Sequence, residues 1–135
     1  GPAFAPEAFH AALNKRRAPI KQVLLAGDVV VGVGNIYASE ALFAAGIRPT
    51  RRAHLLTRPQ AASQHTAVRE VLSQAIAAGG SSLKDFSADG HLGSFQTLMA
   101  VYGREGQPCP VCATPVRRVV QAQRATFFCP QCQKR

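Results

Sequence analysis

Acidic residues are scarce in this chain. Seven Asp and Glu stand against sixteen Lys and Arg over 135 residues, a formal net charge of +9. That imbalance argues against a cationic partner and for a polyanionic one, while saying nothing about fold. No apolar run approaches the roughly 20 residues that a membrane-spanning helix needs, so no membrane partner is expected. No secretory signal pattern opens the sequence. Cysteine is absent before residue 109, which excludes a disulfide framework spread through the chain and fits a reducing compartment. Histidine is represented by His10, His54, His65 and His91, too scattered for a histidine metal site. A hydrophobic content of 47% with 17% charged residues excludes a disordered chain and leaves one globular domain or two small ones.

All four cysteines fall within one stretch. It reads Cys109-Pro-Val-Cys112, sixteen residues, then Cys129-Pro-Gln-Cys132. Two Cys-x-x-Cys pairs at this spacing are a zinc signature, each pair offering two thiolates to one metal. Four thiolates close a tetrahedral shell with no open position, so Cys109, Cys112, Cys129 and Cys132 are expected to hold one structural Zn²⁺. A redox dithiol or two disulfides are the rival readings; a redox pair needs a βαβ pattern around it, which is missing here. Between the knuckles, Val116–Val120 and Arg124–Phe128 are β-prone runs flanking Gln121–Gln123, the pattern of a hairpin. The loop carries Arg117, Arg118 and Arg124 and no acid. A rigid basic ribbon suits a nucleic-acid groove; a solvated face on a protein-binding zinc ribbon is the alternative.

The earlier part of the chain reads as helices. Pro6–Arg17 begins with proline and Glu7 and ends in Lys15-Arg16-Arg17, matching the dipole. Ile20–Ala26 is short and apolar and stops at Gly27. Ile36–Ala45 is rich in small residues, with Asn35 placed to cap it and Gly46 to close it. Gly32-Val-Gly34 imitates a dinucleotide fingerprint, but the next small position is Tyr37 and the expected ribose-binding acid is replaced by Thr50-Arg-Arg-Ala-His54. Read as turns between helices, Gly32 and Gly34 permit a close backbone approach to a ligand, and the N–H groups opening the next helix favour phosphate. Arg48–Leu56 is a linker with three arginines. Thr57 caps a long helix with its apolar stripe at Val68, Val71, Leu72, Ala75 and Ile76, ending at Gly79-Gly80. Residues 79–95 form a polar, glycine-rich loop containing Lys84, long enough to suggest function. Gly1-Pro2 reads as the scar of a cleaved tag.

Several ordered motifs resemble one family: Gly32-Val-Gly-Asn-Ile-Tyr-Ala-Ser-Glu40, Gly79-Gly-Ser-Ser-Leu-Lys-Asp-Phe86, Val101-Tyr-Gly-Arg104, and Gln123-Arg-Ala-Thr-Phe-Phe-Cys-Pro-Gln-Cys-Gln133. From about Leu13 onward the chain is similar to the C-terminal half of bacterial formamidopyrimidine-DNA glycosylases (Fpg). The endonuclease VIII branch shares the architecture, but Asn35–Glu40 and Gln123–Phe127 favour the Fpg branch. The resemblance implies a mainly α fold with a small β-hairpin zinc finger: a helix–two-turn–helix bundle over residues 3–103, followed by a four-cysteine, zinc-ribbon-like hairpin over 104–135.

It also implies a function. In the family, the residues matching Asn35 and Arg124 grip phosphates beside an extruded nucleotide. The loop matching 79–95, with Lys84, closes over an oxidised purine such as 8-oxoguanine or a formamidopyrimidine. Arg17 and Lys21 match basic positions near DNA. The implied partner is double-stranded DNA with damaged bases, and the implied setting is a monomer on the bacterial nucleoid in the cytoplasm. The finger arginine is sometimes assigned as a proton donor in elimination, but a guanidinium with a pKa above about 12 is a poor acid, so a grip on phosphate is the better role. The family nucleophile is an N-terminal proline amine followed by glutamate. Pro2 here is acylated by Gly1 and followed by Ala3, so the chain is expected to be a DNA-binding fragment, inactive alone and complemented by an N-terminal catalytic half. Ala113 departs from the glycine usual after the first knuckle.

Overall fold

Prolines and glycines punctuate the helices. The computed structural model describes residues 5–27, 29, 33–77 and 99–134, with backbone alone for 75–77. Gly1-Pro2, read from the sequence as a tag scar, together with Gly32, Lys84 and the rest of residues 79–95, lie outside them. Helix α1, Pro6–Asn14, opens with proline in its first turn and buries Phe9 and Leu13. The sequence predicts helix up to Arg17, yet α1 stops at Asn14 with no basic residue in its last turn. The reason is tertiary: residues 16–20 leave the helix and pair with 51–54, through Ile20 N–H to Arg51 O at 2.7 Å, Ala53 N–H to Ala18 O at 2.9 Å and His54 N–H to Arg16 O at 2.9 Å. The supposed linker Arg48–Leu56 is therefore paired structure, ending in a 3₁₀ turn at Ala53–Leu55.

Helix α2, Ile20–Leu25, buries Ile20, Val23 and Leu24, and also Lys21. Gly27 then takes a φ of 85°, the left-handed conformation that a helix-ending glycine supplies. Helix α3, Asn35–Ala45, has Ile36, Ala38, Ser39, Glu40, Ala41 and Leu42 buried. Burial all round marks a central helix. Asn35 does not cap α3 as predicted: Gly34 holds the N-cap position and no side chain caps the helix. Gly46 closes α3 at φ 72°, and a side chain there would meet Cys132 O at 3.4 Å. Helix α4, Arg58–Ala77, starts with a reciprocal cap. Gln60 N–H donates to Thr57 Oγ1 at 3.2 Å and Thr57 N–H to Gln60 Oε1 at 2.9 Å, the capping-box arrangement. Val68 is buried, with Val71 and Leu72 packed at the margin.

The helical core joins Phe9 and Leu13 with Ile20, Val23, Leu24, Leu42, Ile47, Ala53, Leu56 and Val68. Each large aliphatic side chain buried here contributes about 1.5–3 kcal/mol. Among the described residues, no helix is long and apolar enough to cross a membrane.

The finger is a two-stranded antiparallel hairpin, β1 Arg117–Gln121 and β2 Arg124–Phe128, in the register Arg117↔Phe128 through Gln121↔Arg124. Only Ala122 and Gln123 remain in the turn, at φ 49° and 69°. Two positive φ values define a type I′ turn. Non-glycine residues in that region cost roughly 1–2 kcal/mol each. Ala113 likewise sits at φ 67°, so the alanine adopts the conformation for which glycine is the usual choice. Beneath the hairpin, Val101, Val116 and Phe127 form a small core, and Tyr102 meets the Phe127 ring edge-on at 5.0 Å.

One carboxylate sets the entry to the finger. Glu40 of α3, nearly buried, accepts three consecutive backbone N–H groups: Ala100 at 2.7 Å, Val101 at 2.9 Å and Tyr102 at 2.9 Å. A carboxylate can take three donors; an amide presents one oxygen and two donors of its own. Glu40→Gln therefore leaves donors facing donors, and we expect a loss of about 2–4 kcal/mol on the scale of one or two charge-assisted hydrogen bonds, read as a lowered midpoint in chemical denaturation of the zinc-loaded chain.

Candidate zinc centre and phosphate-binding interface

The two knuckles are shaped by backbone hydrogen bonds before any metal is considered. Cys109 N–H donates to Thr114 O and Ala113 N–H to Cys109 O, both at 2.9 Å. Val111 N–H points at Cys109 Sγ at 3.4 Å and Cys132 N–H at Cys129 Sγ at 3.3 Å. These place the sulfurs at 3.8 Å (Cys109–Cys132), 3.5 Å (Cys112–Cys129) and 3.6 Å (Cys112–Cys132), with all four within 4.8 Å of one another. A tetrahedron with Zn–S of about 2.3 Å has edges of about 3.8 Å. The donor set and its spacing thus fit one tetrahedral Zn²⁺, as the sequence predicts, and Cys109, Cys112, Cys129 and Cys132 form a structural zinc site. A four-way cluster of free thiols is not the geometry of a redox pair or of two disulfides. Thr114 beside Cys112 holds that thiol down at about 6, whereas burial lifts Cys129 and pushes Cys132 up to about 12.

The hairpin is joined to the helices through Lys21. This lysine is 1% exposed. Its ammonium donates to Asn35 Oδ1 and to Thr126 Oγ1 at 2.8 Å, with Ala125 O at 3.5 Å. Asn35 Nδ2 in turn donates to Ala125 O at 3.0 Å. Alternation along β2 puts Arg124, Thr126 and Phe128 on one face, the face whose Thr126 meets Lys21. The acceptors around Lys21 are all neutral. Burial, and then the neighbouring Arg124 charge, bring its pKa down to about 8.

Further along the same face, Arg48 donates from Nε to Gln133 O at 2.9 Å and from an η nitrogen to Pro130 O at 2.8 Å, and its guanidinium stacks 5.1 Å from the Phe128 ring centre. Gln133, fully buried, accepts from Cys129 N–H at 2.8 Å and donates to Ile47 O at 3.0 Å. The zinc knuckle and the helical bundle therefore share a continuous hydrogen-bonded seam.

Of the residues read from the sequence as DNA-binding, Gly34, Asn35, Lys21 and Arg124 meet at one junction. Lys21 lies beneath it and faces protein acceptors. Arg17 stands at the surface four residues before Lys21. Lys84 lies outside the described residues. Thr126, Glu40, Arg48 and Gln133 were given no role by the sequence. Thr126 carries a signal, as a hydroxyl alternating with Phe128 on an inward face; Glu40 and Arg48 have partners too distant in sequence to anticipate, and so has the Gln133 amide nitrogen, which donates to Ile47 O.

A helix–turns–helix bundle bonded along one seam to a four-cysteine hairpin defines the class: a helix–two-turn–helix module with a zinc finger. Comparison with known proteins gives the family. Residues 1–87 match the formamidopyrimidine-DNA glycosylase H2TH domain, and residues 106–135 match the zinc finger found in FPG and IleRS. The chain belongs to the formamidopyrimidine-DNA glycosylase family. It is 63% identical over 135 residues to the formamidopyrimidine-DNA glycosylase of Variovorax paradoxus, covering 99% of this chain and 50% of that protein. It is 62% identical over 132 residues to that of Albidiferax ferrireducens, covering 97% and 49%. The chain thus spans about half the length of the curated relatives it matches. The crystal structure of the MutM (Fpg) protein of Thermus thermophilus superposes with a TM-score of 0.88 at 50% identity, over 98% of this chain and 51% of that one. The Lactococcus lactis Fpg, in complex with DNA containing an abasic site, gives 0.87 at 36% identity, over 98% and 48%.

Because Cys129 and Cys132 are both held above their ordinary range, these two thiols at least are protonated near neutrality and must release protons to bind metal. Zinc affinity should rise with pH, with log K climbing by at least about two per pH unit between about pH 6.5 and 7.5, measured by competition with a chromophoric chelator.

Proposed function

We propose that this chain is the DNA-gripping portion of a base-excision-repair glycosylase and AP lyase acting on oxidised purines. Asn35 and Arg124 hold phosphates of the duplex beside a flipped nucleotide. The single observation that carries this reading is the junction itself: the uncapped start of α3, the Asn35 amide and the Arg124 strand converge over a buried lysine whose acceptors are all neutral. An uncapped helix start and excess positive charge are what a phosphate complements. Lys21 serves as the orienting cation. By taking Asn35 Oδ1 it fixes the sense of the amide, whose nitrogen has one N–H for the hairpin carbonyl and a second for a phosphate. The family nucleophile belongs to the part of the relatives that this chain does not span. Base excision is accordingly proposed for the whole protein, and phosphate grip for this portion. The 79–95 loop with Lys84 is proposed to close over the lesion. A monomer on the nucleoid of a bacterial cytoplasm is the setting that fits. The domain division proposed is residues 3–103 for the helical unit and 104–135 for the finger.

Two measurements test the reading. Log Kd against log salt should be linear, and Arg124→Ala should lower its slope by about one, the share of one phosphate contact; an unchanged slope rejects the phosphate role. The second concerns protons. In the free chain Lys21 loses its proton from about pH 8 upward, while a bound phosphate holds that proton in place. Binding above pH 8 therefore takes up as much as one proton, and affinity should fall with rising pH by up to about tenfold per unit. Fluorescence anisotropy with an abasic-site duplex from about pH 7 to 9.5 reads this; Lys21→Met should bind more weakly and with a flatter profile.

A further inference from the structure

We propose that the pairing of residues 16–20 with 51–54 builds a second phosphate-binding surface, presenting Arg17 and Arg52, for the DNA backbone that continues from the Asn35–Arg124 junction. The inference rests on the DNA-gripping reading and extends its footprint.

Lys15 and Arg16 close α1 through their backbone N–H groups, to Ala12 O and Leu13 O, and Arg17 stands beyond the helix, exposed. This basic run is held beside a second one by an antiparallel bridge between Pro19 and Arg52 and the backbone hydrogen bonds on either side of it. Arg52 donates from an η nitrogen to Arg17 O at 2.8 Å, which fixes its guanidinium against the neighbouring segment while both residues keep solvent access. The other arginines of the segment are committed elsewhere: Arg48 to the finger carbonyls of Pro130 and Gln133, and Arg51 to Leu55 O at 3.0 Å. No acidic residue occurs in 8–27 or in 41–69, the two stretches that contribute the surface. Among the described residues no carboxylate pairs with Arg17 or Arg52.

The paired segment adjoins the first site. Pro49 O accepts from Lys21 N–H at 3.4 Å and from Gln121 Nε2 at 3.3 Å, so the paired segment, the buried lysine and the hairpin tip meet at one carbonyl. Arg17 stands four residues before Lys21, at most about 14 Å of extended chain. One DNA strand advances about 3.4 Å per phosphate, so this reach covers at most about four phosphates.

The test uses the full chain, zinc-loaded, with a long abasic-site duplex, and reads Kd against salt. The Arg17→Gln/Arg52→Gln pair should lower the slope by about two, at about 0.9 per phosphate, and weaken binding at least tenfold at physiological salt. The Arg17→Lys/Arg52→Lys pair should retain the slope, and Arg69→Gln, an exposed arginine of α4, should leave it unchanged. If the glutamine pair leaves the slope intact while Arg124→Ala lowers it, the second surface is overturned and the first site stands. If neither lowers it, the DNA-gripping reading itself fails. An equal fall with Arg69→Gln reduces the effect to overall charge and overturns the proposal. So does a fall in the lysine pair accompanied by a lowered melting temperature, which marks Arg17 and Arg52 as structural only.

Discussion

A buried ammonium with only neutral acceptors is the constraint around which this chain is assembled. Lys21 reaches Asn35, fourteen positions on, and Thr126, one hundred and five positions on. Taking such a charge out of water costs several kcal/mol unless its donors are satisfied. All the acceptors come from two other segments, so α2, the start of α3 and β2 must arrive together. The neighbouring Arg124 makes matters worse for the charged form. The junction is thus short of negative charge by construction. Perturbed pKa values of this kind cluster at functional sites.

The finger could not hold its half of the junction by packing alone. Its own core is Val101, Val116 and Phe127, and it carries left-handed strain at Ala113, Ala122 and Gln123. Strain of that kind persists only where the surroundings over-determine it. Here they do: four thiolates close on one metal at one end, and binding worth roughly 10–16 kcal/mol is also folding energy. The Arg48–Phe128 stack and the Gln133 hydrogen bonds then tie the knuckle to the residues following α3. Glu40 does the same for the chain entering the finger. Metal, seam and carboxylate together fix Thr126 and Ala125 where Lys21 and Asn35 need them.

What could be read from the sequence was local. The cysteine spacing, the Thr57 cap and the Gly27 and Gly46 helix ends each depend on residues within a few positions, and each is found. The hairpin was legible from its β-prone runs, though its turn is the tighter two-residue kind. Misreadings came where a distant partner overrode a local preference. Lys15–Arg17 has the composition of a helix end, but pairing with 51–54 draws it out of α1. Asn35 has the character of an N-cap, but Lys21 and Ala125 O claim its amide. Glu40 and Arg48 gave no local signal, since their partners lie some sixty and eighty-odd positions away.

The uncapped start of α3 shows how these levels connect. An Asn in the capping position, with its oxygen turned to the first N–H groups, would add about a few tenths of a kcal/mol to the helix over the glycine that stands there. This chain forgoes that. Gly34 occupies the cap and contributes no side chain, so the first-turn N–H groups are not covered by a cap. Asn35, one residue on, offers its oxygen to Lys21 and its nitrogen to the hairpin carbonyl. The stability lost at the helix terminus reappears as order at the junction: an amide of fixed sense, a strand carrying Arg124 at a fixed height, and a helix dipole with its positive end open. Moving the asparagine back into the cap would satisfy α3 and disconnect it from the finger. The placement of one glycine and one asparagine therefore decides whether the helix start completes itself or waits for an anion.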